Sequence, residues 1–296
     1  MPPFRRTSWV SAEAKNLWEP RIAMITKAIE SAEIERVRIG GRKCVFIDVD
    51  CADLPPLSLN LVQEGLLCIP IQSANSQRGR SDGTTCAILR VDYVNSFAFA
   101  LENDDLATLC SLLGMGICCQ DAYINNLEEG ISDATWISAL NSAPSDPATH
   151  RVELKPGIGT NTLLRSMGLR LVSHIPCRFD CEHSHREQAD NLEALLTLGR
   201  RREADWLTEL LDMPLSWTSL HGIAEIKTPL FRLSLSTDPV ATKLSVVFTG
   251  KSYPTHSHLG VSFPFIVPNR RKYTESRAYL KGLNQLRQIA DSSAKV

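Results

Sequence analysis

The sequence predicts an α+β fold, with mixed or antiparallel sheets, flanking helices and two lobes. Three observations carry this. Strand-like runs come in groups instead of alternating strictly with helices. Amphipathic helical patterns sit near the start, in the second half and at the end. The length of 296 residues and an apolar fraction of 43% give enough material for one large core or two smaller ones.

The first element is helical. Ser11 is a capping residue, and Ile22, Ile25, Ile29 and Ala32 recur at helical spacing behind Pro20. Arg36–Ile39 and Cys44–Val49 then read as strands around a Gly40-Gly41-Arg42-Lys43 hairpin turn. Leu57–Val62, Leu66–Ile71 and Cys86–Val94 continue the strand pattern, and Asp104–Leu113 reads as a short helix. The Pro- and Ser-rich stretch Asn141–His150 reads as a linker, which puts the lobes at 1–145 and 146–296. Beyond it, Leu169–His174 reads as a strand and His185–Leu198 as a helix that continues to Leu211. Four strand-like runs follow at Leu215–Leu220, Ile223–Ile226, Phe231–Leu235 and Leu244–Phe248. A last amphipathic helix is expected over Thr274–Ala290.

The net charge of −1 removes the general case for nucleic acid, since phosphate binding calls for a basic surplus. The basic residues Arg270, Arg271 and Lys272 then read as a solvated face. No apolar run approaches a membrane span, and the basic start lacks the apolar stretch of an export signal, so the expectation is a cytoplasmic protein. Nine cysteines, an odd number with no regular spacing, do not form a disulfide framework. The partner expected from this composition is a small polar or anionic metabolite.

Candidate chemistry concentrates in His174-Ile-Pro-Cys177-Arg-Phe-Asp-Cys181-Glu-His183-Ser-His185. Thiolates and imidazoles together are the donor set of zinc or iron. A helix beginning at Pro176 would put Cys177 and Cys181 on one face. One beginning at Glu182 would put both beneath a helix amino terminus, where thiol pKa falls. Against a metal site stands the spacing C-x-x-x-C, which is not the usual zinc knuckle. In His256-Ser-His258, His258 is a candidate to complete the shell if the segment is extended, and a solvent-facing residue otherwise. His174, Cys177, Cys181 and His258 are therefore the expected ligands.

Gly157, Gly159, Thr160 and Asn161 form a Gly-rich turn that reads either as an anion cradle for substrate or as a plain tight turn. It lacks the dinucleotide fingerprint. Glu225, within an apolar strand, either points out of the sheet or is buried with a raised pKa, and is the candidate for proton transfer. The vicinal pair Cys118-Cys119 has no neighbouring histidine and reads as core.

The stretch H-I-P-C-R-F-D-C at His174–Cys181 resembles the H-x-P-C-x-x-x-C motif of a poorly characterised prokaryotic family. The likeness extends through Pro156-Gly-Ile-Gly upstream and Gly222-Ile-Ala-Glu-Ile downstream. It implies that His174, Cys177 and Cys181 belong to one site, and it implies no reaction. Three functions follow as expectations. The first is a metabolite-modifying enzyme with a zinc or iron site. The second is a metal-free enzyme with Cys177 as nucleophile beside His174. The third is a binding or scaffold subunit with a structural metal or a packed cluster.

Overall fold

The computed structural model describes residues 4–71, 83–142, 150–155, 159–251 and 253–254. Its elements in chain order begin with β1 (Arg5–Trp9), α1 (Ala12–Arg38), β2 (Cys44–Asp50), α2 (Leu54–Gln63), β3 (Leu66–Ile71) and β4 (Gly83–Arg90). Then come α3 (Val94–Glu102), α4 (Leu106–Leu112), α5 (Ile117–Glu128), α6 (Thr135–Ser142) and β5 (Arg151–Leu154). The chain continues with α7 (Glu182–Thr197), α8 (Arg201–Leu211), β6 (Leu215–Leu220), β7 (Ile223–Lys227), β8 (Phe231–Ser236) and β9 (Leu244–Phe248). Among the described residues, two open sheets and eight helices make this an α+β protein, as the grouped strands predict.

The larger sheet has the order β1-β8-β7-β6-β9-β5. It is antiparallel except at its edge, where β5 runs parallel to β9. β1 pairs with β8 in the register Arg5↔Leu235 to Trp9↔Phe231. The smaller sheet, β2-β4-β3, is antiparallel throughout.

Helix α1 lies against both sheets. The Ser11 side chain accepts a bond from the Ala14 amide and fixes its start. Trp18, Ile22, Ile25, Ala28, Ile29 and Ala32 form its buried stripe, and α7 and α8 pack beside it. Those residues join Leu207, Leu210, Trp217, Phe231, Val246 and Phe248 in the main core. At roughly 1.5–3 kcal/mol per buried large side chain, this is the chief source of stability. Val37, near the other end of α1, packs instead on Val45, Ile47 and Ile88 of the small sheet.

Several local expectations are corrected. Arg36–Ile39 is not a strand, because α1 continues to Arg38 and buries Glu33, Arg36 and Val37 on its inner side. Leu57–Val62 is helical within α2, whose first turn holds Pro55 and Pro56, residues suited to a helix start. Leu169–His174 forms neither strand nor helix. The division at 145/146 is crossed by the β1–β8 pairing and by the main core, which draws on both sides of it. The expected last helix, His256 and His258 lie outside the described residues. Among the described residues, no helix is long and apolar enough to cross a membrane.

Candidate metal centre

Four cysteines meet at one point: Cys118 and Cys119 from the first turn of α5, and Cys177 and Cys181 from the segment entering α7. Their sulfurs all lie within 4.8 Å of one another. Cys181 Sγ is 3.6 Å from Cys118 Sγ and 3.7 Å from Cys119 Sγ. A single zinc ion held tetrahedrally at about 2.3 Å from each sulfur sets them about 3.8 Å apart. Cysteines that bind different irons of a cluster must spread further than this. The spacing therefore fits one ion.

Two helix starts converge here. Gly116 is the N-cap of α5, and Cys181 is the N-cap of α7. Both amino termini bring partial positive charge near the sulfurs, and the Ser184 amide of α7 bonds Cys181, which favours thiolates. Gly116 also permits the approach, because a Cβ there would lie 2.6 Å from Cγ of His183. Any larger residue would push the first turn of α5 away from α7.

The segment carrying Cys177 is fixed from several sides. Asn141 Nδ2 donates to the Cys177 carbonyl at 3.0 Å, and the Phe179 amide donates to Ser142 Oγ at 2.6 Å. The Cys177 amide itself points to Cys119 Sγ at 3.4 Å. Cys119 and Cys181 are buried with Cys110 and Met115, whereas Cys118 is exposed.

The thiols differ in acidity. For Cys181, burial pushes the pKa up, but hydrogen bonds from the Ser184 amide and hydroxyl and from Cys118 and Cys119 outweigh it and bring it down to about 7. Burial pushes Cys119 up to about 11, against the Cys177 amide. Burial, then the neighbouring Cys119 and Cys181, pushes Cys177 far above the ordinary thiol range. Without a cation the cluster thus holds its first negative charge on Cys181. A metal ion is what would drive the remaining protons off.

His174 is close but is not one of the four. Its Nε2 lies 3.3 Å from Ser184 Oγ, which in turn lies 3.5 Å from Cys119 Sγ. Its Nδ1 lies 3.2 Å from Glu187 Oε2. Glu187 also accepts from Arg42 Nη2 at 2.7 Å and from the Ser173 amide and hydroxyl at 3.1 and 2.9 Å. Burial would raise the Glu187 carboxyl, but His174, Arg42 and Ser173 overcome this and hold it at about 2.

The other candidates stand elsewhere. Glu225 lies on the exposed face of β7 with Ile223, 3.5 Å from Lys227 Nζ, so the outward reading is the one realised. Thr160 is buried and donates to the Phe179 carbonyl. Asn161 accepts from the Leu163 amide at 3.0 Å and donates to the Leu211 carbonyl at 2.8 Å. Gly159 packs on α7, where a Cβ would meet the Gln188 amide group. Thr160 thus braces the cysteine segment, while Asn161 and Gly159 tie the turn to Leu211 and to α7. Gly157 and His258 lie outside the described residues.

Sequence reasoning missed Cys118 and Cys119 as site residues. The available signal was a vicinal pair just after a glycine at a helix start, a position that favours thiolates. Fold and site together describe an α+β protein with a four-thiol group able to hold a metal ion. Comparison with family models, curated proteins and solved structures finds no match.

Proposed function

We propose that this is a metal-binding protein in which one zinc ion, held by Cys118, Cys119, Cys177 and Cys181, ties α5 to the entrance of α7. The observation that carries this reading is the mutual approach of four sulfurs from two chain segments within 4.8 Å. Four thiolates fill a tetrahedral shell and leave no position for water or substrate, which is the pattern of a structural zinc site. A four-sulfur set suits zinc or iron, and zinc stands above ferrous iron in general affinity. Cys177 is a poor candidate nucleophile, since the thiol with lowered pKa is Cys181. The resemblance to the H-x-P-C-x-x-x-C family implies one site for His174, Cys177 and Cys181, and this reading keeps the three together.

Elemental analysis of protein purified under reducing conditions tests the proposal. One zinc per chain is expected, with loss of the metal in Cys181→Ser and in a Cys118→Ser/Cys119→Ser double variant. A colourless protein would separate zinc from ferric iron, whose thiolate complexes absorb visible light. Purified protein free of zinc and iron, with a melting temperature indifferent to added zinc and to chelator, would overturn it.

A further inference from the structure

We propose that Ser184 and His174, backed by Glu187, form a buried relay that keeps a hydrogen-bond donor on the sulfur of Cys119 and thereby sets how tightly the metal is held. This rests on the four-thiolate reading above and adds residues to it that are not ligands.

The geometry of Ser184 leads to this. It lies in the first turn of α7 with no exposed surface. Its hydroxyl has three polar neighbours, the sulfur of Cys181, Cys119 Sγ at 3.5 Å and His174 Nε2 at 3.3 Å. A metal-bound thiolate has no proton and only accepts. The single hydroxyl hydrogen of Ser184 must then point to the sulfur side, at Cys119 or its neighbour Cys181, which leaves the oxygen lone pairs facing His174. Those lone pairs are satisfied only by an N–H on Nε2. Nδ1 of the same ring lies 3.2 Å from the Glu187 carboxylate, which only accepts, so the relay needs a proton on both ring nitrogens, and Glu187 is itself anchored by Arg42 and Ser173. Arg42 and Ser173 hold Glu187 by hydrogen bonds, and Glu187 meets His174 as a close ionic contact, which connects Arg42 behind the site to the sulfurs at its centre.

The physical effect follows from charge. A zinc ion with four thiolates carries a net charge of −2, buried on the side of Cys119 and Cys181. Hydrogen bonds to the sulfurs spread that charge. Cys119 receives one from the Cys177 backbone amide, which no side-chain substitution removes, and one from Ser184. Ser184→Ala deletes the second and leaves all four ligands in place. Loss of partners of this kind weakens metal binding roughly 10- to 100-fold. His174 and Ser184 are positioning residues in this scheme, since neither touches the ion.

Cobalt(II) bound to the full chain is the probe, because its sulfur-to-metal charge-transfer bands report the electron density on the thiolates. The wild-type chain should give an intense tetrahedral thiolate spectrum. Ser184→Ala should shift the charge-transfer bands and weaken cobalt binding at least about 10-fold. His174→Gln should do the same in part, and the double variant should be no worse than Ser184→Ala alone. With iron in place of cobalt, Ser184→Ala should lower the reduction potential. A folded Ser184→Ala chain with wild-type bands and affinity would overturn the relay while leaving the metal site intact. Additive losses in the double variant would also overturn it, by giving the two side chains separate roles. A wild-type chain that takes up no cobalt would defeat the metal reading itself.

Discussion

Removing the metal should free α5 and little else. The helix has twelve residues and a single buried side chain, that of Cys119. Isolated helices of this length are marginal in water, and burial of one small side chain adds about 1 kcal/mol. With an ion bound as proposed, any opening of α5 would pull Cys118 and Cys119 off it, so the metal would stabilise the docked helix by linkage. With free zinc held at about 1,000 times its dissociation constant, that contribution is about 4 kcal/mol, or about 1,000-fold in the protection of its amides. Hydrogen exchange read by mass spectrometry, with and without a chelator, measures it directly. Peptides covering 117–128 should lose protection by that factor, whereas peptides covering the Trp18–Ala32 face of α1 should keep theirs, because the main core holds them. Unchanged exchange in α5 after complete removal of zinc would refute the reasoning. So would an equal loss across the whole chain, which would make the ion a condition of global folding.

Three further outcomes are expected. Arg42→Met should cost about 3–5 kcal/mol in urea unfolding, because it leaves Glu187 buried without its guanidinium partner, whereas Glu33 keeps Arg170. Glu187 has its folded pKa depressed from 4.5 to about 2, so it stabilises the fold above pH 4.5, and that contribution drains away as pH falls from 4.5 toward 2. The gap corresponds to about 3 kcal/mol, and metal-free Glu187→Gln should show a correspondingly flatter acid limb of stability against pH than metal-free wild type. Gly250→Ala would place a Cβ 2.2 Å from the Asp212 carbonyl oxygen and 2.4 Å from the Pro214 nitrogen. Backbone cannot swing aside as a side chain can, so a loss of at least about 2 kcal/mol should appear as a lowered melting temperature.

The parts of the fold legible in the sequence were those governed by local pattern. The stripe Ile22–Ala32 and the runs Leu215–Leu220 and Leu244–Phe248 declare themselves through periodicity, and they form α1, β6 and β9. Arg36–Ile39 misled because alternation of arginine with Val37 and Ile39 imitates a strand. The alternation loses to tertiary packing, since Arg36 is buried beside Asn191 and Asp190 of α7. The candidate site was half legible for a related reason. Cys177 and Cys181 announce themselves by crowding with histidines, but Cys118 and Cys119 lie about sixty residues earlier, and only the fold brings α5 against α7. His174 was visible as part of the cluster, yet its role beside Ser184 depends on rotamers that no spacing rule encodes. Alternation leaves Glu225 either outward or buried, and the fold selects the outward reading, because its face of β7 is the exposed one.

The pairing of β1 with β8 orders events during synthesis. Arg5 aligns with Leu235, so the first strand to leave the ribosome waits for almost the whole described chain before it finds its neighbour. Contacts this distant in sequence form late and slowly. The small sheet β2-β4-β3 and the helices that follow are free to form early, and both pairs of thiols are already outside the ribosome before β8 is made. Capture of the proposed metal ion could thus precede closure of the large sheet, which would make the four cysteines a staple set in a half-built molecule.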